Sequence, residues 1–266
     1  MADSDPDPEP PSYSFYLPVI MAPHIYDMVQ FMSVDTPEGK GPLYEVMQKI
    51  GGHESQARHQ TQVVGERFYH TKGNEIKAEW EQLWADDHFI YRGTDTSPGN
   101  DQYYTLYASH EDGTPPGSAW SPRFWQVGEL YERNPFVVFY YKSDCTVVMN
   151  GGSPVSGYQR TWLRFEAFYP SYTFESGITL DNVVELTWLL SPDGNPIESY
   201  FYAEGFGLVG WGSSDRGYSY INEEHQPGQR PDNTRETIQC LDATPSLLRR
   251  SLLLNTGPLP YDYRVK

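Results

Sequence analysis

Short runs of aromatic residues, often at every second position, are the feature that most constrains how this chain can fold. The clearest run, residues 161–168, alternates two sets of side chains: Trp162, Arg164, Glu166 and Phe168 against Thr161, Leu163, Phe165 and Ala167. A period of two places successive side chains on opposite faces of a β-strand. The runs are separated by turn-forming residues, including many of the 23 Gly and 22 Pro, as in a sheet with many turns. The pattern predicts a mainly β fold: an antiparallel β-sandwich, a barrel or a strongly curved sheet.

Two segments show helical spacing instead. Pro42 precedes apolar residues at helical intervals, and a Gly-Gly pair follows as a stop: Leu43, Val46, Met47 and Ile50, then Gly51 and Gly52. Near the C-terminus, Thr244 and Pro245 precede a leucine stripe that ends before Gly257. Because a capping residue, an early Pro and a terminal Gly mark helix boundaries, we expect one short helix in each segment.

These patterns divide the chain into four parts. Residues 1–22 are expected to form an acidic, Pro-rich tether, and residues 23–62 an N-terminal segment with the first helix. Residues 63–242 form the expected main β-domain, and residues 243–266 a tail with the second helix. Within the main domain, the turn formers of 191–196 predict a hairpin loop.

Charge and hydropathy limit the possible partners. Asp and Glu number 36 against 19 Lys and Arg, and the formal net charge is −17. An acidic chain without a basic cluster repels phosphate backbones, so nucleic-acid binding is not expected. No apolar run reaches the roughly 18 residues of a membrane span, so no transmembrane segment is expected. The acidic, Pro-rich start is typical of a chain that follows a removed export signal, which predicts an extracellular or cell-surface location.

The two cysteines, Cys145 and Cys240, both lie beside strand-like sequence. In an exported protein two cysteines usually pair, so a Cys145–Cys240 disulfide is expected. Two buried free thiols are the alternative. Neither cysteine has CxxC spacing, so the sequence gives no support for redox catalysis or a thiolate metal site.

Four strand glutamates are candidate catalytic groups: Glu166, Glu185, Glu198 and Glu204. Hydrolysis of a glycosidic bond needs an acid and a second carboxylate about 5–9 Å apart. A carboxylate among aromatic rings is partly desolvated, which favours its use as a general acid. Solvent-facing glutamates paired with arginines such as Arg164 are the alternative, and no spacing marks out one pair.

Candidate ligand-binding residues are the tryptophans near loops and one arginine of the C-terminal stretch: Trp120, Trp125, Trp211 and Arg216. An indole near a loop can stack on a ligand, although core packing is the alternative for each. Arg216 can form a polar rim or an ion pair that pins its loop.

Calcium is the one cofactor that the sequence leaves open. Asp95 and Asp101, with Ser97 and Asn100 between them, could place oxygen ligands around this ion. The loop lacks the EF-hand pattern, and an Asx-rich turn explains the same residues. No other cofactor is expected.

One segment of the chain resembles a known group of proteins. The segment contains Tyr200-Phe201-Tyr202-Ala203, then Gly205, Gly207-Leu208-Val209 and Trp211. It resembles the aromatic–Tyr–Ala–x–Gly–x–Gly–Leu–Val–x–Trp segment of bacterial exported β-proteins and lipoproteins. Residues 16–21 are similar to a second short motif of exported bacterial proteins. The resemblance implies export and a strand pair in a curved antiparallel sheet, and it implies no catalytic residue.

The sequence therefore predicts an exported β-rich protein that binds a polysaccharide or another glycan through an aromatic, acidic surface. A glycoside hydrolase on a β-sandwich, with two of the four glutamates at its centre, is the first alternative. The second is a structural or lipoprotein-like component with an apolar ligand or a protein partner. The oligomeric state stays open.

Overall fold

A computed structural model gives the architecture of the chain. It describes residues 15–16, 28–36, 39–54, 60–70, 75–86, 88–95, 103–111, 117–141, 143–144, 146–213, 217–221 and 226–227. Over these residues the regular secondary structure consists of strands and includes no helix. The mainly β prediction is confirmed.

Twenty strands, numbered here in chain order, make up the described part. They are β1 (Phe15–Tyr16), β2 (Met28–Thr36), β3 (Gly39–Glu54), β4 (Gln60–His70), β5 (Glu75–Ala85), β6 (Phe89–Asp95), β7 (Tyr103–Ala108), β8 (Ser118–Pro122), β9 (Phe124–Trp125), β10 (Leu130–Arg133), β11 (Phe136–Tyr141), β12 (Met149–Asn150), β13 (Ser153–Pro154), β14 (Ser156–Tyr158), β15 (Thr161–Thr173), β16 (Thr179–Leu189), β17 (Glu198–Ala203), β18 (Gly207–Ser213), β19 (Gly217–Ile221) and β20 (Gln226–Pro227).

Most of these strands belong to one 16-stranded antiparallel sheet. Its order is β10-β15-β16-β17-β18-β19-β2-β3-β4-β5-β6-β7-β11-β14, with β20 beside β2 and β8 beside β6. The order begins at β10 and ends at β14, so the hydrogen bonding among these strands does not close into a barrel. The pairs β1–β9 and β12–β13 form two small separate sheets.

The large sheet is strongly curved, because strands far apart in its order touch through their side chains. Trp120 of β8 meets Tyr200 of β17 edge to face, with ring centroids 5.5 Å apart. The ring centroids of Phe89 in β6 and Tyr131 in β10 lie 5.8 Å apart. The β6–β8 region therefore folds over the β10–β17 region and encloses a core between them.

Apolar residues of β15 to β19 supply most of that core. Leu163, Phe165, Val183 and Leu186 are fully buried within it. Phe165 and Leu186 are register partners across β15 and β16. Burying each such side chain stabilises the fold by about 2–3 kcal/mol.

The helix expected at residues 42–50 is wrong, because these residues lie within the long strand β3. Strand β3 pairs with β2 on one side and β4 on the other. This pairing satisfies the backbone groups on both sides and overrides the local helical spacing, since propensity is a weak constraint. Gly51 and Gly52 coincide with a register shift between Ile50 and His53 and do not end a helix. The second expected helix lies outside the described residues.

Strand pairing joins residues from different expected segments. Phe15 of the expected tether pairs with Trp125 in the small β1–β9 sheet, and β2 of the expected N-terminal segment pairs with β19 of the main β-domain. The hydrogen bonding of the sheet therefore shows no break between residues 62 and 63.

The hairpin predicted around residues 191–196 is present between β16 and β17. Gly194 donates its backbone N–H to Ser191 O at 3.0 Å, and Ile197 donates to Trp188 O at 2.8 Å. The β17–β18 pair, which carries the resemblance noted above, is antiparallel.

Candidate functional site

A β-bulge in β15 positions Glu166. The register of β15 on β16 shifts between Phe165 and Ala167, so Glu166 has no register partner. Its Oε2 accepts a hydrogen bond from Arg164 Nε at 2.6 Å and one from Thr187 Oγ1 at 3.1 Å. Glu166 thus lies on the same face as Arg164 and Thr187, held between two adjacent strands.

Because of the bulge, Phe168 lies on the face of β15 opposite to the one that the sequence pattern predicted. The sequence pattern placed Phe168 with Glu166, but Phe168 pairs with Val184, two positions along β16 from the Leu186 that pairs with Phe165. Because strand residues two apart share a face, Phe168 lies on the face of Phe165. The extra residue of a bulge reverses the alternation that follows it.

Glu185 lies beside this bulge and binds a tyrosine. Its backbone position pairs with Ala167, and its Oε2 accepts a hydrogen bond from the Tyr169 hydroxyl at 2.8 Å. Burial raises the pKa of the Tyr169 phenol, and the hydrogen bond to Glu185 and the charges of Glu185 and Glu166 raise it further. The phenol therefore stays neutral and donates a hydrogen bond to Glu185.

Aromatic rings continue this face beyond Tyr169. The centroid of the Tyr172 ring lies 4.9 Å from the ring centroid of Tyr169, 4.8 Å from that of Phe174 and 5.4 Å from that of Phe201. A Cβ at Gly210 would lie 3.3 Å from Phe174 and 3.4 Å from Phe201, so the glycine lets these rings pack against the backbone of β18. We call Glu166, Glu185, Tyr169 and Tyr172 the acidic–tyrosine face.

All four side chains of the acidic–tyrosine face are half-buried. They are therefore held by neighbours and still reach solvent. Carboxylates that are partly desolvated and fixed by hydrogen bonds accept hydrogen bonds at defined positions. This arrangement suits a ligand that presents hydroxyl donors along an apolar ring.

The other two candidate glutamates lie elsewhere. Glu198 accepts a hydrogen bond from the Tyr200 hydroxyl at 2.5 Å, and its strand position pairs with Trp188. Glu204 is exposed and accepts from Asn182 Nδ2 at 2.6 Å. The fold thus places Glu166 and Glu185 on neighbouring positions of β15 and β16, and Glu198 and Glu204 in different surroundings.

Two of the three candidate tryptophans are core residues. Trp120 is 1% exposed and Trp125 2% exposed, so neither presents a ring face to solvent. Trp125 donates its Nε1 hydrogen to Pro122 O at 2.6 Å and meets Phe165 edge to face. Stacking of these two rings on an external ligand does not fit this burial, since large aromatic side chains supply much of a core.

The third tryptophan, Trp211, is half-buried and packs against the main core cluster from β18. Its backbone pairs with Tyr200 on one side and Ser219 on the other. Arg216, the fourth candidate ligand-binding residue, lies outside the described residues.

Trp120 lies against two arginines that the sequence did not single out. The Cζ atoms of Arg92 and Arg133 are 3.8 Å and 4.0 Å from the centroid of its ring. We call Arg92, Trp120 and Arg133 the arginine–tryptophan cluster. Tyr169 and Tyr172 of the acidic–tyrosine face were also missed, because their roles depend on the pairing of β15 with β16.

The expected calcium and disulfide sites involve residues beyond the described part. Asp95 ends β6, whereas Asp101, Cys145 and Cys240 lie outside the described residues. Among the residues that the structure describes, no three His, Cys, Asp or Glu side chains cluster as metal ligands. The described segments likewise contain no helix that is long and apolar enough to cross a membrane.

Comparisons with known proteins give distant likenesses. No family model matches the chain, and no curated protein matches it. A candidate exported protein with a YmcC-like fold from Bacteroides fragilis NCTC 9343 is similar at 12% identity and a TM-score of 0.42, over 80% of this chain and 100% of that chain. A candidate lipoprotein from Parabacteroides distasonis ATCC 8503 is similar at 12% identity and a TM-score of 0.38, over 80% of this chain and 99% of that one. Neither likeness assigns a family, a ligand or a compartment to this chain.

Proposed function

We propose that this chain is an exported β-rich protein that binds carbohydrate through the acidic–tyrosine face. The observation that carries the proposal is the hydrogen bond from the Tyr169 hydroxyl to Glu185, beside the ring of Tyr172 and on the strand face that also carries Glu166. Export is supported by the resemblance of residues 200–211 to a segment of exported bacterial β-proteins.

The chemistry of the face matches a sugar better than it matches an apolar ligand. Ionised carboxylates only accept hydrogen bonds, and sugar hydroxyls are donors that can satisfy them. Tyrosine rings offer flat apolar area with a polar edge, which suits the alternating C–H and O–H surface of a pyranose. An apolar ligand would remove solvent from two half-buried carboxylates and would supply no donor for their remaining lone pairs, which is costly.

Binding is favoured over hydrolysis by the partners of the two carboxylates. Glu166 forms a 2.6 Å ion pair with Arg164 through its Oε2, so this oxygen is already engaged by a guanidinium and is not placed to protonate a leaving group. Glu185 accepts the Tyr169 hydrogen. Two carboxylates on one face are nevertheless the groups that a glycoside hydrolase needs, so hydrolysis is the second candidate.

A panel of soluble and insoluble polysaccharides tests both candidates in the same tubes, by pull-down and by release of reducing sugar. We expect retention without release for the wild type, and weaker retention for Tyr172→Leu and Glu185→Gln. The matched control is Tyr158→Leu, because Tyr158 is 46% exposed and lies on β14, away from this face.

Each outcome separates the candidates. Release that disappears in Glu166→Gln or Glu185→Gln would replace the binding proposal with the hydrolase. No retention and no release across the panel would overturn both.

A further inference from the structure

Residues 149–154 form a hairpin whose turn carries the pair Asn150–Gly151. Strands β12 and β13 pair Asn150 with Ser153, and Gly151 and Gly152 make the two-residue turn between them. The φ angles of the two glycines, +59° and +85°, are those of a type I′ turn. Asn150 and both glycines are exposed, so the whole turn reaches solvent.

An asparagine that precedes a glycine can lose its side-chain amide without an enzyme. The backbone nitrogen of the glycine attacks the asparagine Cγ, and the approach is open because glycine has no Cβ. Asn150 is the only asparagine of this sequence that a glycine follows. The sequence therefore concentrates this reactivity at one position, which the fold places in an exposed turn.

Neither reacting group of the Asn150–Gly151 pair is held by a hydrogen bond. Within the described part of the chain, the Asn150 side chain has no hydrogen-bond partner and the Gly151 N–H has none. The Asp193–Gly194 pair of the β16–β17 loop differs, because the Gly194 N–H donates to Ser191 O at 3.0 Å. A nitrogen that donates such a bond must first release it before it can attack. The structure therefore leaves the Gly151 nitrogen free to react.

We propose that Asn150 is a site of spontaneous deamidation, which converts it slowly to aspartate and isoaspartate. The Gly151 nitrogen forms a bond to Asn150 Cγ, the Cγ–Nδ2 bond breaks, and ammonia leaves with the proton that the Gly151 nitrogen gives up. Water then opens the resulting succinimide ring at either of its two carbonyl carbons. One opening gives aspartate and the other gives isoaspartate. Water is the only co-reactant, and no atom is oxidised or reduced.

Both products change the tip of the hairpin. Each adds a carboxylate to a chain whose formal net charge is −17. Isoaspartate also adds one carbon to the backbone of the turn, so the loop length no longer matches the pairing of Asn150 with Ser153. The base of the hairpin should hold, because Val148 N–H donates to Phe139 O and Val155 N–H donates to Val148 O, each at 2.8 Å. We therefore expect a local change at the turn and a chain that stays folded.

A time course of the full chain at mildly alkaline pH tests this proposal, because the attacking nitrogen must lose its proton. Samples are digested at mildly acidic pH, where the reaction is slow, and mass spectrometry gives the deamidated fraction of each asparagine. Digestion with endoprotease Asp-N, which cleaves before aspartate but not before isoaspartate, separates the two products. Asn134 and Asn195 are internal controls, since both are exposed and each precedes a proline, which has no N–H to lose. We expect Asn150 to convert at least tenfold faster than either control, with isoaspartate among the products.

Two glycine variants give a matched comparison. Gly151→Ala places a methyl group beside the attacking nitrogen, and it should slow the conversion of Asn150 at least tenfold. Gly152→Ala leaves that nitrogen unchanged, and Asn150 should convert in it as fast as in the wild type. Both glycines have a positive φ, and a new Cβ at either meets nothing within 4 Å. The two substitutions therefore strain the turn in the same way, and only the first hinders the reaction.

Two results would overturn the proposal: conversion of Asn150 no faster than that of Asn195 in the wild type, or equal rates in Gly151→Ala and Gly152→Ala. Should a glycine variant fail to fold, Asn150→Gln takes its place, because the longer side chain must react through a larger ring that forms more slowly. We expect the mass increase of the hairpin peptide to be lost in that variant. An undiminished increase would also contradict the proposal.

Discussion

The hydrogen bond between Tyr169 and Glu185 holds the acidic–tyrosine face together, and its strength can be predicted. The hydroxyl donates to Glu185 Oε2 at 2.8 Å. A hydrogen bond to a charged group contributes about 1.5–3 kcal/mol when buried. Both residues are half-buried, so a carboxylate that loses the phenol can be hydrated, and we expect a coupling free energy of about 1 kcal/mol.

A double-mutant cycle with Tyr169→Phe and Glu185→Ala measures this coupling directly. Urea unfolding at neutral pH gives the free energy of unfolding of the wild type, both single variants and the double variant. The cycle is repeated with Tyr158→Phe in place of Tyr169→Phe as a control, because Tyr158 lies against Phe136 on other strands and should show no coupling. A coupling below about 0.3 kcal/mol, equal to the control, would refute the described geometry of the face.

Two further predictions concern substitutions at two glycines and the fall of stability at alkaline pH. A Cβ at Gly212 would lie 2.2 Å from Gly217 O at a φ of +147°, so Gly212→Ala should cost about 3 kcal/mol or more, or prevent folding. Gly205→Ala, at a φ of +79° with nothing within 4 Å of the new Cβ, should cost only about 1–2 kcal/mol in urea unfolding, and equal costs would contradict the clash. Burial and the hydrogen bond to Asp86 raise the pKa of Tyr91 from 10.0 to about 12. The folded state then binds more protons than the unfolded state between these values, so this stabilisation is present below pH 10 and is lost as the pH rises to about 12. The free energy of unfolding, measured between pH 10 and about 12, should fall less steeply with pH in Tyr91→Phe than in the wild type. An unchanged slope would contradict the raised pKa of Tyr91.

The sequence predicted the fold class because its strongest signals are local. Alternation in residues 161–168 and the turn residues of 191–196 each specify their structure without help from distant parts of the chain. Both appear where they were expected, in β15 and in the loop between β16 and β17. The helix expected at 42–50 failed for the opposite reason, since pairing of β3 with two other strands decided its conformation.

The candidate site depends on register, which the sequence pattern does not contain. Glu166 lies against Thr187, and Glu185 against Tyr169, because β15 pairs with β16 through a bulge at Glu166. A strand without that bulge would have kept Phe168 on the glutamate's face. The burial of Trp120 depends in the same way on curvature that brings β8 against β17, and no local pattern reports such a contact.

The most direct test of the proposed function is isothermal titration calorimetry with a soluble oligosaccharide of a polysaccharide that retains the wild type. The measurement compares the wild type with Tyr172→Leu and with Tyr158→Leu. Carbohydrate binding at the acidic–tyrosine face predicts at least a tenfold increase of Kd in Tyr172→Leu and an unchanged Kd in Tyr158→Leu. An unchanged Kd in Tyr172→Leu, with the variant shown to be folded, would place the binding site elsewhere and contradict the proposal.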